Sequence, residues 1–331
     1  MPLETIIAGV MVASLVLYAL SGGADYGGGV WDLFAFGPRA REQRALIADA
    51  IGPVWEANHV WLILLVVVLF TAFPPAFAVI ATALHIPITL LLIGIVLRGT
   101  AFTFRTYDVQ RDEVQRRWSL VFSIASIITP ILLGTTLGAI ASGNIRVENG
   151  VVTSGFLRPW LAPFPLAVGF FALALFAFLA AVYLTVEADE RRLQEDFRLR
   201  ALVAGVVVGL LALIVFVLAA TGAPTVRAGI SRSSWALALH VSTAASAIGA
   251  FYTLWTRRHL AARMFAAGQV TLILLGWAFA QFPYLVEPDI SITSAAAPQI
   301  TLELLLGALI AGALLLFPSY YYLFRIFKTT E

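Results

Sequence analysis

Gly52-Pro53-Val54-Trp55-Glu56-Ala57-Asn58-His59-Val60-Trp61 runs without a break into the apolar stretch 62–72. A carboxylate, a carboxamide and an imidazole therefore fall in the first turns of what reads as a membrane-spanning helix. A charged side chain at mid-bilayer costs at least about 2.5–3.5 kcal/mol, so such residues default to a functional reading with a partner group nearby.

The rest of the chain agrees with a membrane setting. Of its 331 residues 60% are hydrophobic and 12% charged, and the mean hydropathy is +0.92, which places it in the integral membrane class. With no cysteine it has no disulfide, no thiolate-bound zinc or iron–sulfur cluster and no thiol nucleophile. Met1-Pro2-Leu3-Glu4 lacks the basic start of a cleavable signal, and the apolar run that follows has no small-residue cleavage site, so it reads as a retained first span.

A hydrocarbon core of about 30 Å takes about 20 helical residues, and only helices or closed barrels satisfy the backbone inside it. Long apolar runs predict nine helical spans at 5–26, 54–72, 76–97, 118–141, 163–186, 200–221, 234–256, 263–282 and 301–324. Phe73-Pro74-Pro75, Ser142-Gly143-Asn144 and Gly222-Ala223-Pro224 mark breaks, while Pro87 and Pro130 predict kinks within spans. The fold class is thus an all-α integral membrane protein. It reads as one transmembrane domain over 1–331, with a first four-helix set in 1–141, a second in 160–283, and a ninth helix at 300–325 left over.

Orientation follows from the basic residues. Of 21 Lys and Arg, 17 fall in the segments on one side, and Arg146, Arg158, Arg227 and Arg232 remain on the other. The positive-inside rule puts the N-terminus outside and the C-terminus in the cytoplasm. The net charge of +2 is spread over membrane-proximal loops, which gives no stripe for nucleic acid. The segment 39–51 suits a short interfacial helix, 187–200 a charged extension of the fifth helix, and Asn149-Gly150 a small hairpin.

Counted along the first helix, Asp25 lands near the inner hydrocarbon boundary, as does Glu56 at the start of an outward-running helix. Each has a plain structural reading: Asp25 as a polar group at a glycine-loosened helix end, Glu56 as a first-turn carboxylate favoured by the helix dipole. Together, from different helices, they can hand protons inward. His59 follows Glu56 by three residues on the same helical face, which suits a proton relay. Glu-x-x-His is also half of a di-iron signature, but no second copy follows. His59, His85 and His240 are each alone in an apolar span, more in keeping with interior hydrogen bonding than with haem ligation. Trp55 and Trp61 read as interfacial anchors. Arg98 and Arg105 close the third span, either snorkelling or neutralising Asp25, Glu56 or a head group. Nothing in the chain reads as a metal site or a catalytic triad.

Gly23-Ala24-Asp25-Tyr26-Gly27-Gly28-Gly29, then Trp55-Glu56-Ala57-Asn58-His59-Val60-Trp61-Leu62-Ile63, Leu97-Arg98-Gly99 with Phe104-Arg105, and Phe282-Pro283-Tyr284, in this order, resemble subunit II of the cytochrome bd-type quinol oxidases. The resemblance spans nearly the whole chain. It implies two four-helix bundles plus a peripheral ninth helix, in a prokaryotic cytoplasmic membrane, paired with a larger subunit I. That partner would carry the haems (b and d, or b-type only) and oxidise quinol, while this chain binds no cofactor firmly, a quinone or lipid contact being open. By the same resemblance this subunit supports the complex and contributes to a cytoplasmic proton path for reduction of O2 to water. Glu56 matches the family's acid in the Trp-acid-x-Asn motif and is the first choice for that path. Asp25 is the second, and His59 joins them. Asn58, Trp61, Arg98 and Arg105 would give support or head-group contacts. Histidine at position 59 is similar to the cyanide-insensitive branch. Quinol, O2, membrane lipids and small accessory subunits complete the expected partners. Two other readings stay open: a self-contained proton-coupled transporter, and a haem-binding cytochrome using His59, His85 or His240.

Overall fold

A computed structural model describes residues 2–328 except 53, 54 and 108–111; the side chains of 105–107, 112–116, 324, 327 and 328 also lie outside the described set. In chain order the elements are α1 (Leu3–Leu33), α2 (Ala40–Ile51), α3 (Trp55–Asn58), α4 (Val60–Ala72), α5 (Pro74–Ala83), α6 (His85–Tyr107) and α7 (Asp112–Ala141). A hairpin of β1 (Val147–Glu148) and β2 (Val151–Val152) leads to α8 (Arg158–Leu161), α9 (Pro163–Glu187), α10 (Arg191–Gly222) and α11 (Pro224–Arg232). Then come α12 (Ala236–Trp255), α13 (His259–Gln281), a second hairpin of β3 (Tyr284–Val286) and β4 (Ile290–Ser291), and α14 (Gln299–Lys328). Among the described residues nine helices are long and apolar enough to span a bilayer.

α1 and α9 pack together at the centre, with α7 against both, α4 against α1, α6 against α7, and α10 and α13 against α9. Tyr18, Tyr26, Phe176, Phe178 and Leu179 belong to the largest buried cluster. Glycine permits the closest approaches: a Cβ on Gly27 would run into the Phe176 carbonyl, and one on Gly29 into the Ser126 side chain. In hydrocarbon, where apolar surface gives helices little reason to associate, such backbone proximity supplies the packing.

The two ends differ in chemistry. At one, both hairpins meet through Asp289, which accepts from the Val147 N–H at 2.9 Å and pairs with Arg146 at 3.3 Å. Asn149 and Gly150 take positive φ (50° and 77°) in the first hairpin turn, as Asn-Gly predicts. At the other, charged end, Arg39 grips Asp196 with two hydrogen bonds of 2.6 and 2.8 Å, and Gln43 adds a third of 2.9 Å.

Three sequence expectations are corrected. α1 does not stop at 26 but runs to Leu33, because its glycines are packed against α9 and α7 rather than loosening the helix end. The third span starts later: α5 ends at Ala83, Leu84 makes a turn, and α6 carries the span from His85 to Phe104. Arg98 is therefore inside this span and does not close it. The charged run after Glu187 extends the sixth span, not the fifth, since α10 begins at Arg191. Leu193, Phe197 and Ala201 are buried along it at four-residue spacing, which continues the α10 apolar stripe into the charged segment.

Candidate functional site

Eight residues before the end of α1, the Asp25 carboxylate is buried and accepts a hydrogen bond of 2.6 Å from the Asn58 side-chain amide on α3. Asn58 is itself 2% exposed, and its Oδ1 has no protein partner. At His59 a turn separates α3 from α4, so the chain enters the membrane as a single helical turn followed by a second helix. Glu56 and Asn58, two residues apart, point to different sides of that turn: Asn58 inward, Glu56 exposed.

The His59 ring packs against Tyr18, Tyr26 and Trp55 at centroid distances of 5.9, 6.2 and 6.5 Å. Tyr18 and Tyr26 are joined hydroxyl to hydroxyl at 3.2 Å. Above the Tyr26 ring, 4.7 Å from its centroid, lies the guanidinium of Arg98. It is 2% exposed, it donates from Nε to the Ser126 hydroxyl at 3.2 Å, and its Nη2 finds no protein acceptor. A buried guanidinium persists where π faces and hydrogen bonds compensate it, and Tyr26, Phe122 and Ser126 supply these here.

Of the residues singled out from sequence, Asp25, Asn58, Arg98 and His59 thus come together at one level, with Glu56 on the outward side of the same turn. Trp61 is 5% exposed and packs on Tyr320 of α14 at 5.5 Å, so it is an interior contact rather than an interfacial anchor. The side chain of Arg105 lies outside the described residues. His85 and His240 stay apart from this cluster, each placing Nδ1 near a carbonyl of the preceding turn, Thr82 at 2.9 Å and Ala236 at 2.6 Å. Among the described residues no group of three or more His, Cys, Asp or Glu is placed to hold a metal.

Sequence reading passed over Tyr18, Ser126 and Asp32. Asp32 is 1% exposed and accepts from the Ser119 and Ser123 hydroxyls at 3.0 and 3.1 Å. A signal was there, because Tyr18, Asp25 and Asp32 recur every seven residues and so share one stripe of α1.

Fold and site together define an all-helical, multi-pass membrane protein with a buried polar cluster, Asp25, Asn58 and Arg98, on helices that pack around α1. The chain belongs to the cytochrome bd terminal oxidase subunit II family, whose family model matches residues 3–327. It is 23% identical to the putative cytochrome bd menaquinol oxidase subunit II of Bacillus subtilis (strain 168) over 322 residues, 94% of this chain and 91% of that one. To the cytochrome bd-I ubiquinol oxidase subunit 2 of Escherichia coli (strain K12) it is 26% identical over 208 residues, 62% of this chain and 53% of that one. The solved bd oxidase of Geobacillus thermodenitrificans shares the fold, with a TM-score of 0.78 at 22% identity over 99% of both chains. This chain is accordingly a subunit of a membrane quinol oxidase of the prokaryotic respiratory chain and resides in the inner membrane. The family implies haems within the complex.

Proposed function

We propose that this chain supports the haem-bearing subunit I and brings cytoplasmic protons toward it for the reduction of O2 to water. The observation that carries the reading is the buried Asp25–Asn58 hydrogen bond beside Arg98, where Asn58 Oδ1 and Arg98 Nη2 lack protein partners. Buried polar atoms of this kind are where proteins hold ordered water. Asp25 is the group that takes up and releases the proton, and Asn58 orients its carboxylate. Glu56, exposed on the outward side of the same turn, meets either cytoplasmic water or the partner subunit, and His59 lines the route between the tyrosines. Drawing protons from the cytoplasm while quinol releases its own outside separates charge across the membrane.

The same reading places the N-terminus outside and the C-terminus in the cytoplasm, on the strength of the basic-residue bias. It groups the first four and the next four spans as two bundles with α14 peripheral, supported by the slight burial of the α14 span. Quinol and O2 are substrates of the complex, and lipid, quinone and small accessory subunits are further contacts. The transporter reading gains no support from the family assignment.

The test replaces Glu56 by Gln and Asp25 by Asn in the assembled oxidase, with quinol-driven O2 consumption and haem content as readouts. A slowed turnover with full haem content is expected. Unchanged turnover removes that residue from the path, and loss of assembly makes it structural.

A further inference from the structure

We infer that Tyr320, on the ninth span, is a positioning residue for the turn that carries Glu56 and Asn58. This rests on the proton-path reading above. The end of a helix leaves its last carbonyls without intrahelical partners, and the turn at His59 creates such an end at α3. The Tyr320 hydroxyl fills this gap: it donates to the Ala57 carbonyl at 2.7 Å, across 263 residues of sequence.

The ring that carries the hydroxyl is held in turn by packing against Trp61. The rings of Trp61 and Tyr320 lie 5.5 Å apart, and Phe317, one turn earlier on α14, flanks Trp61 at 6.2 Å. Elsewhere α14 is among the least buried of the spans, with 6% of its apolar window enclosed. The carbonyl that Tyr320 reaches belongs to the residue next to Asn58, whose side chain holds Asp25.

α3 is consequently pinned from two sides, by Asn58 to α1 and by Ala57 to α14. A single turn has little rotational stiffness of its own, and one residue step is about 100° of rotation. Losing either pin lets the turn swing, which moves Asn58 off Asp25 and redirects Glu56. The Tyr320 hydroxyl donates to a backbone carbonyl, so its effect on proton delivery passes through the turn.

The experiment compares Tyr320→Phe with native complex, using Tyr321→Phe and Tyr322→Phe, two exposed neighbours, as controls. Phenylalanine keeps the ring packing on Trp61 and removes only the hydroxyl. Backbone hydrogen exchange over 55–62, turnover and KM for quinol, the pH profile of turnover, and haem content are measured on the purified two-subunit oxidase. The expected result for Tyr320→Phe is exchange in 55–62 faster by about fivefold, the population change equivalent to one net hydrogen bond. Turnover falls with an altered pH profile, while quinol KM and haem content stay native and both controls stay silent. Unchanged exchange overturns the inference, as does a complex that no longer assembles, because either outcome takes the hydroxyl out of a positioning role. Faster exchange with native turnover also overturns it if Glu56→Gln slows the enzyme, and then the proton path stands without Tyr320. If Glu56→Gln and Asp25→Asn are silent too, it is the proton-path reading that has failed, and the inference falls with it.

Discussion

Asn58 donates to Asp25 at 2.6 Å, tying the turn at the start of the second span to the interior of the first across 33 residues of sequence. Around this one bond stand a guanidinium, two linked tyrosines and an imidazole, all contributed by helices that meet only when the bundle is assembled. The carboxylate gains a neutral, directional donor, which orients it without neutralising it.

Replacing Asn58 by Leu removes that donor and leaves Asp25 desolvated beside Arg98. Turnover of the assembled oxidase is expected to fall on the order of 100-fold, the range for loss of a positioned proton-transfer group. Asn58→Asp, which places a second carboxylate against Asp25, is expected to shift the pH profile of turnover instead, as two close carboxylates titrate as a coupled pair. Oxygen consumption against pH checks both.

Gly27→Ala forces a methyl group into the Phe176 carbonyl at the α1–α9 contact. The expected cost is about 1–3 kcal/mol, as for overpacking elsewhere. Gly9, which has nothing within 4 Å of a Cβ, should accept alanine with native stability. Thermal unfolding of the detergent-solubilised complex distinguishes the two.

Asp32→Ala strips the acceptor from Ser119 and Ser123 at the α1–α7 contact. Leaving buried hydroxyls without that acceptor is expected to cost about 1–3 kcal/mol. Asp32→Asn keeps an acceptor oxygen and should retain most of the stability. The melting temperatures of the two variants give the comparison.

Arg39→Ala breaks the two-pronged bond to Asp196 at the charged end, where Gln43 still donates to the same carboxylate. Hydrogen bonding to Asp196 raises the Arg39 pKa above its ordinary value, so this contact is present throughout the neutral range and is lost only as pH rises through the arginine range. Stability near neutral pH should therefore show no titration from Arg39. The pair is partly exposed, Asp196 less so than Arg39, and the effect of its removal should be small and fade in high salt. Melting curves at low and high ionic strength, taken across neutral pH, test this.

The sequence alone determined the membrane class, the nine spans, the Asn-Gly hairpin and the residues of the two polar motifs, because each rests on composition or on neighbours within a few positions. Apolar run length is a local quantity, and so is the oddity of an acid placed inside one. What only the tertiary structure decided is which polar groups meet. Helix α1 continues through its glycines because α9 and α7 press against them, and that carries Asp25 into the interior of the helix rather than to its end. Arg98 is internal because a turn at Leu84 shifts the third span along the chain. Asn58 meets Asp25 because α3 packs against α1, and Tyr320, from the far end of the chain, takes up the Ala57 carbonyl beside it. Contacts between helices depend on rotation and register about their axes, and no local pattern encodes those; packing across the bundle sets them.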